Sequence, residues 1–542
     1  MKAFRAVLVC VLAASSSSAF AADHVVGHKV SLTRFGGNPA VGKVYKIVIK
    51  AGQNGNPAAF ALPTNPAAGS SVLVERDGGY LTDPLTAGTW TGLGNPAGSR
   101  GWKYKNVAAP LGGAVKLLLV KEAVIRVVAK GTGIMPVPSS PDGRIDTTIT
   151  ADNERYCTRA TAPHFTNTDK VIKSKEQSPL GACPACIPGT DSDGDRLDDC
   201  YETDTATFVE PMDAGTDPLV ADTDGDSIED GDEVIGTDNS LDLPAMGTNP
   251  LRRDILVEYD WFEDDLDCGD HTHRPTAAAV NMVTAAFAAA PTGNPDGSTG
   301  INFIHDYGQG GPFTGGNEIR DSDGLLDGGV NDLEFINHKF FNFDSRRHGY
   351  FHYTVMPHRY NLTSGSSGQA EFPGDDMIVS LQCFNFDNFV ANTIVHELGH
   401  NLNLGHGGPG DHCNYKPNYN SVMNYLYQFP GVDSDCTPPS NGVLDYSRGE
   451  RISLDESNLD ENLGICGAPA WDWNGNLSIE SGVAFNINPD ETINGLCGGV
   501  LGILHDHDDW ANISLAGVGE ADGARRGPME IIDCDNPPPP LP

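Results

Sequence analysis

The first third of the chain alternates short apolar runs with turn-forming residues. Between residues 23 and 187 the apolar runs are rich in Val, Ile and Leu and are separated by clusters of Gly, Pro and Asn; examples are 44–49, 115–120 and 124–128. Runs of this length and composition predict β-strands. The pattern therefore predicts an all-β accessory domain over residues 23–187, and it leaves open whether that domain is a prosegment, a substrate-binding module or a spacer.

From residue 251 onward, helix-like stretches are interspersed with strand-like runs. An Ala-rich stretch over 276–290, which ends before Pro291, and a second stretch over 388–402 have the spacing of helices. The strand-like runs are 255–261, 301–304, 349–355, 368–372 and 377–381. This order predicts an α+β domain over residues 251–460. The region after it, 461–542, ends in a proline-rich tail for which we expect no fixed fold.

The second predicted helix carries a metal-binding motif, since residues 396–406 read HELGHNLNLGH. His396 and His400 are four residues apart, so both imidazoles leave the same face of a helix and can hold one Zn²⁺. Glu397 follows the first histidine and suits the role of general base. His406 is placed to be the third ligand, which leaves the fourth position of a catalytic zinc open for water.

For His406 to reach the metal, the helix must end and the chain must turn back. Such a reversal needs a residue in the left-handed region, where Gly is most favourable and Asn is next. Asn403, with Gly405 close behind it, can supply this turn.

A second element, SVMNY over 421–425, follows the histidines at a distance that lets the chain pass beneath the metal. Together the two motifs resemble those of the metzincin clan of zinc endopeptidases, HExxHxxGxxH followed by a Met-turn. The chain departs from the clan pattern at Asn403, where the clan has Gly. The resemblance covers residues 388–430 closely and residues 251–460 as a domain.

The resemblance implies a fold and a set of roles. The fold is a mixed sheet with an active-site helix and a Met-turn, in which the edge strand, assigned here to 368–372, pairs with an extended substrate. The implied roles are zinc binding by His396, His400 and His406, polarisation of water by Glu397, a hydrophobic base under the metal from Met423, and contact of Tyr425 with the zinc or the developing oxyanion. For Tyr425 a purely structural packing role is the alternative.

The function predicted from these motifs is hydrolysis of peptide bonds in a protein or peptide substrate by zinc-activated water, with Glu397 as the general base. One alternative is a calcium-dependent surface or adhesion protein that uses an inactive protease scaffold. Another keeps the zinc chemistry but acts on a non-peptide amide.

An acidic segment precedes this domain, over residues 188–250. Residues 191–238 contain 18 acidic side chains and one basic one. Five carboxylates recur after 31 residues, and such alternating carboxylates with a terminal Glu suit Ca²⁺. The two sets are Asp191, Asp193, Asp195, Asp199 and Glu202, and Asp222, Asp224, Asp226, Asp230 and Glu233.

This segment resembles thrombospondin type 3 and EF-hand-like calcium loops, which implies structural Ca²⁺. Arg196 and Ser227 stand where Gly would ease the sharp turn. A disordered acidic linker is the alternative. A similar spacing, Asp472, Asn474, Asn476 and Glu480, fits either a third calcium loop or an Asx-turn.

The other alternating histidines are interpreted as surface residues without a second ligand cluster. They are His271 and His273, and His505 and His507.

Composition supports an exported protein. Residues 1–21 have two basic residues, an apolar run and small residues before the expected cleavage site, as in a signal peptide. With 35 basic and 73 acidic residues, the chain is a poor partner for nucleic acid. Eleven cysteines remain after the signal, which predicts disulfides of open connectivity and, because the number is odd, at least one cysteine outside them. We therefore expect a secreted protein without a membrane anchor, of open oligomeric state.

Overall fold

A computed structural model describes much of the chain. The described residues are 22–25, 29–35, 43–50, 62–63, 66, 70–76, 79–83, 85, 88–108, 115–121, 124–131, 144–151, 154–161, 166–167, 171–175, 191–211, 213–320, 323–360, 365–384, 386–411, 413–437, 440–488, 501–515 and 530–534. The predicted signal peptide and the last residues of the proline-rich tail lie outside them. The chain divides into two units, Met1–Thr190 and Asp191–Pro542.

Every described element of the first unit is a strand. The strands are β1 (Ala22–Val25), β2 (Lys29–Phe35), β3 (Lys43–Lys50), β4 (Ser71–Arg76), β5 (Gly79–Asp83), β6 (Thr89–Gly92), β7 (Trp102–Lys105), β8 (Val115–Lys121), β9 (Val124–Gly131), β10 (Arg144–Ala151), β11 (Glu154–Thr161), β12 (Thr166–Asn167) and β13 (Val171–Lys175). They form one sheet in the order β1-β11-β10-β4-β5 and another in the order β12-β13-β2-β3-β9-β8-β7-β6. The three apolar runs singled out in the sequence lie within β3, β8 and β9.

The core of this unit follows the alternation along its strands. In β9, Ile125, Val127 and Ala129 are buried, whereas Arg126 between them is exposed. Successive side chains of a strand point to opposite faces, so this alternation buries one face of the sheet.

The second unit contains all the described helices. Its elements are α1 (Asp230–Ile235), α2 (Leu243–Met246), β14 (Asp254–Trp261), β15 (Glu263–Asp264), β16 (His271–Thr272), α3 (Ala277–Ala288), β17 (Asn302–Asp306), α4 (Leu333–Asn342), a 3-10 helix (Ser345–Arg347), β18 (Phe351–Met356), β19 (Gly368–Phe372), β20 (Asp376–Val379), α5 (Asp387–Asn401), β21 (Leu454–Asp455), β22 (Leu459–Asp460), β23 (Ser481–Val483), β24 (Ile503–Leu504) and β25 (Glu530–Cys534).

A six-stranded mixed sheet organises this unit, in the order β17-β14-β18-β20-β19-β25. Strands β17, β14, β18 and β20 run parallel, and β19 is antiparallel to both of its neighbours. All residues of β14 and β18 are buried, as expected for parallel strands covered on both faces. The expectation of a multidomain chain with mixed α and β structure is thus confirmed, with strands predominating.

Helices α3 and α5 pack in one hydrophobic core with residues of the sheet, including Phe287 of α3, Leu398 of α5 and Val257 of β14. Helix α3 begins after Thr276, whose hydroxyl accepts a hydrogen bond from the Ala279 amide at 3.1 Å. Helix α5 begins one residue before the predicted start. Its last six residues, 396–401, are the first part of the predicted metal-binding motif.

No helix among the described residues is long and apolar enough to cross a membrane. Disulfides join Cys268 to Cys383 and Cys436 to Cys466.

Candidate metal centre

The three histidines of the motif converge at the end of α5. The ring centroids of His396 and His400 are 4.9 Å apart, and those of His406 lie 5.3 Å and 4.8 Å from them. All three side chains are buried, and with Cys534 they form a group whose ligand atoms lie within 4.8 Å of one another. A single ion of zinc size can therefore contact all of them.

Backbone carbonyls orient the imidazoles. Nδ1 of His396 lies 2.7 Å from the carbonyl oxygen of Val422, and Nδ1 of His400 lies 2.8 Å from that of Leu404. Since a carbonyl only accepts, each Nδ1 carries the proton and each Nε2 presents its lone pair. Burial lowers the pKa of His396 to about 4, so this ring stays neutral, as a metal ligand must be.

The reversal that brings His406 back depends on Asn403. Helix α5 ends at Asn401, and Asn403 has φ of 74°, in the left-handed region. The amide of Leu404 then donates to the carbonyl of Gly399 at 2.8 Å, which closes the turn. Asn403 thus adopts the backbone conformation that was expected of it, without Gly at that position.

Met423 packs directly beneath α5. It is fully buried, and a Cβ placed on Gly399 would lie 2.2 Å from its Sδ. The same segment, 421–425, also supplies the Val422 carbonyl that contacts His396. The sequence analysis did not identify Gly399, although a glycine between His396 and His400 is the signal of this close approach.

Glu397 and Tyr425 border the same centre. Glu397 is buried, and a Cβ on Gly368 of β19 would lie 2.3 Å from its Oε1, so β19 passes close to the carboxylate. The prediction that 368–372 is an edge strand is wrong, because β25 pairs with β19 and forms that edge of the sheet. The Tyr425 ring lies 4.4 Å from the His406 ring. Burial is the main reason that the pKa of Tyr425 is raised well above its ordinary value, with the nearby Cys534 and Glu397 adding to the rise. The side chain is therefore a neutral phenol that can donate a hydrogen bond.

Cys534 was not predicted as a site residue, and the structure brings it to the metal-binding histidines. Its Sγ lies 3.1 Å from Nε2 of His396, 3.3 Å from Nε2 of His400 and 3.7 Å from Nε2 of His406. It also lies 3.4 Å from Oε2 of Glu397. The odd number of cysteines was the only sequence signal for this thiol.

No protein-family model matches this chain, and no curated protein is significantly similar to it. The interpretation of the centre therefore depends on its own geometry. Three buried imidazoles, two of them oriented by backbone carbonyls, form with the neighbouring thiol and carboxylate a donor set that suits Zn²⁺.

The acidic repeat forms two loops of matching conformation. Asp191 accepts hydrogen bonds from the amides of Gly194 at 2.6 Å and Arg196 at 3.1 Å. Asp222 accepts from Gly225 and Ser227, each at 2.8 Å. Arg196 and Ser227 have φ of 78° and 79°, which confirms that the turn needs the left-handed conformation at these positions.

The remaining predicted carboxylates close the loops or join them. Asp199 and Asp230 accept hydrogen bonds from the amides of Ser192 at 2.7 Å and Thr223 at 2.9 Å. Three groups bring together Asp191, Asp193 and Asp195; Asp195, Glu202 and Asp230; and Asp222, Asp224 and Asp226. Glu233 lies among the carboxylates of the second loop and beside Asp254 of β14, which sequence analysis missed.

These carboxylates repel one another, and several are desolvated. Burial raises the pKa of Glu202 to about 8 and that of Asp230 to about 7, and like charges add to both shifts. Oxygens of Asp193, Asp224 and Glu233 are buried without a hydrogen-bond partner. Buried oxygens of this kind fit a bound divalent cation, which would supply the missing partner.

The loop at Asp472 has the same conformation. Its carboxylate accepts from the amides of Gly475 at 2.8 Å and Leu477 at 2.7 Å, and Leu477 has φ of 67°. A calcium loop and an Asx-turn would both have these contacts, so the contacts do not distinguish between the two interpretations.

The interpretation of His271 and His273 as surface residues is wrong. His273 is 4 % exposed, and both histidines belong to a group with Asp264 and His358 whose ligand atoms lie within 4.8 Å of one another. The sequence could not reveal this group because His358 comes from a distant strand end.

Proposed function

We propose that this protein is a secreted, zinc-dependent endopeptidase that cleaves protein or peptide substrates and is stabilised by Ca²⁺. The convergence of His396, His400 and His406 beside Glu397 carries the proposal. Neutral Nε2 atoms held by backbone carbonyls suit a zinc site with one position left for water.

The substrate would lie beside Glu397 along β19. An extended peptide paired with β19 in place of β25 would present its backbone to the metal. Main-chain pairing of this kind favours proteins and peptides over small non-peptide amides.

Zinc would polarise the scissile carbonyl and make its water acidic. Glu397, beside that position, would accept the proton of the water and deliver it to the leaving nitrogen. The neutral phenol of Tyr425 would donate a hydrogen bond to the oxygen that becomes negative. Met423 would keep the floor of the site apolar and the imidazoles fixed.

The second candidate, an inactive scaffold for calcium-dependent adhesion, is favoured by the acidic loops alone. It gives no reason for a buried carboxylate beside three oriented imidazoles. Burying the Glu397 carboxylate lowers the stability of the fold, and an inert scaffold would gain nothing in return for that loss.

The test is digestion of casein and gelatin with and without 1,10-phenanthroline, with fragments identified by mass spectrometry. We expect chelator-sensitive cleavage that Glu397→Gln loses and that Glu450→Gln, an exposed control, keeps. The same assay is run on Cys534→Ala, so that a thiol over the metal does not hide activity. Absence of cleavage in every variant would contradict the proposal.

A further inference from the structure

The group of Asp264, His271, His273 and His358 lies outside the site described above. Asp264 and His271 face each other across the two-residue strands β15 and β16. His273 follows β16, and His358 follows the end of β18. The disulfide between Cys268 and Cys383 joins the loop between β15 and β16 to the segment that follows β20.

Two distances within this group match a tetrahedral metal site, and a third is a hydrogen bond that a bound ion would replace. Nε2 of His271 lies 3.3 Å from Nδ1 of His358, which lies 3.4 Å from Oδ1 of Asp264. Nε2 of His273 lies 2.9 Å from Oδ2 of Asp264. Four ligands at about 2.0–2.1 Å from a tetrahedral zinc are separated from one another by about 3.3–3.4 Å.

The rings are oriented as ligands around one point. The three imidazoles are inclined to one another by 70°, 73° and 75°. Nδ1 of His271 lies 2.7 Å from the carbonyl oxygen of Gly269 and so carries the proton, which leaves Nε2 as the ligand atom. Nδ1 of His358 faces both Nε2 of His271 and Oδ1 of Asp264, which makes it the ligand atom of this ring.

The group has little access to water, since His273 and His358 are buried. Their ring nitrogens face His271 and Asp264, and a cation bound between these residues would contact all four.

We propose that Asp264, His271, His273 and His358 bind a second Zn²⁺, in a site with a structural role. Four protein ligands complete a tetrahedron, so no position is left for water or substrate. The ion would join the β15–β16 hairpin to the end of β18.

The test is zinc stoichiometry by elemental mass spectrometry on the full chain, after metal removal and dialysis against Zn²⁺. We expect two zinc ions per chain in the native protein, one in His358→Ala, one in the double variant His396→Ala/His400→Ala, and two in the exposed control His505→Ala. Asp264→Asn, which keeps the shape of the side chain, serves if His358→Ala does not fold.

One zinc in the native protein and none in His396→Ala/His400→Ala would overturn the second site. One zinc in the native protein and one in His396→Ala/His400→Ala would uphold the second site and contradict the first.

A second inference concerns β25 and depends on the proposed function. This strand pairs antiparallel with β19 from Gly368 opposite Cys534 to Phe372 opposite Glu530. It therefore occupies the sheet edge along which a substrate would lie. The hydroxyl of Ser366 fixes its end by donating to the carbonyl of Cys534 at 2.6 Å.

The Cys534 thiol occupies the position that the catalytic water needs. Its Sγ faces the Nε2 atoms of all three histidines and the carboxylate of Glu397. A thiolate is a strong zinc ligand and would complete the tetrahedron in place of water.

We propose that β25 is an autoinhibitory segment: it fills the substrate edge of the sheet, and Cys534 binds the zinc. Latency then comes from β25, and the N-terminal domain, for which a prosegment was one of three alternatives, is not needed for it.

Two readouts on the full chain test this inference. We expect Cys534→Ala to raise kcat/KM on casein peptides at least about 10-fold, equivalent to about 1.4 kcal/mol, whereas Ile503→Val, an exposed substitution outside this strand, leaves it unchanged. In Co²⁺-substituted protein, sulfur-to-metal charge-transfer absorption should be present in the native chain and absent in Cys534→Ala.

Equal activity and no such absorption in the native chain would overturn the inference. Absorption that depends on Cys534, with no cleavage by any variant, would uphold the thiol as a ligand and contradict the endopeptidase instead.

Discussion

Replacement of Gly399 by Ala tests how closely helix α5 depends on the segment 421–425 that packs against it. The added Cβ would lie 2.2 Å from Sδ and 2.9 Å from Cε of Met423, and 3.1 Å from Oη of Tyr446. Nonbonded heavy atoms attract most at about 3.5–4.0 Å. The fully buried end of Met423 must therefore move by more than about 1 Å, which a filled core allows only with some separation of α5 from residues 421–425.

Two opposing effects set the magnitude. Ala in place of Gly favours a helix interior by about 1 kcal/mol, whereas overpacking a filled core costs about 1–3 kcal/mol. Separation also lengthens the 2.7 Å contact from Nδ1 of His396 to the Val422 carbonyl, which costs about a further 1 kcal/mol. We expect a net loss of about 1–3 kcal/mol in the stability of α5, with weaker zinc retention.

Hydrogen exchange of the α5 amides, followed by mass spectrometry, measures this local stability. The exposed substitution Asn388→Ala on the same helix controls for helix propensity. In Met423→Ala the clash is removed, so the added effect of Gly399→Ala should fall to zero or become stabilising. Slower exchange in Gly399→Ala, unchanged by Met423→Ala, would refute this packing argument.

Four further predictions concern the acidic loops and the histidine site. A Ca²⁺-selective chelator should lower the Tm in calorimetry, because a cation bound only by the folded state stabilises it. Burial raises the pKa of Glu202 in the folded protein to about 8, above its unfolded value. In calcium-free protein, its contribution to stability is therefore present at low pH and is lost as the pH rises through 8. A Tm that increases from pH 5 to pH 9 without calcium would contradict this. Asn403→Ala should cost about 1–2 kcal/mol by thermal unfolding and weaken zinc retention, because Ala is strained at φ of 74°, whereas Asn403→Gly should retain both. Tyr425→Phe should lower kcat about 10²-fold with little change in KM, and a change in KM alone would indicate a packing role.

The helix and the three histidines were predictable because all of the signals are local. The i, i+4 spacing fixes two imidazoles on one face of α5, and Asn403 marks the turn. Strand β19 was placed at 368–372, and the structure has it at Gly368–Phe372. The local repeat of 31 residues likewise fixed the two acidic loops.

Features formed by distant residues could not be predicted in this way. Cys534 meets His396 across 138 residues, and His358 meets His271 across 87. A short sequence pattern cannot predict such pairs, because they depend on the order of the strands in the sheet. Gly399 is an intermediate case, since its role becomes clear only once Met423 is known to pack against it.

The most direct test of the central claim measures zinc content and proteolysis on one preparation. In a Cys534→Ala background, we expect Glu397→Gln to retain the zinc of the parent and to lose at least about 10²-fold in kcat/KM on casein peptides, as loss of a general base requires. Unchanged cleavage by that variant with its zinc intact would contradict the account.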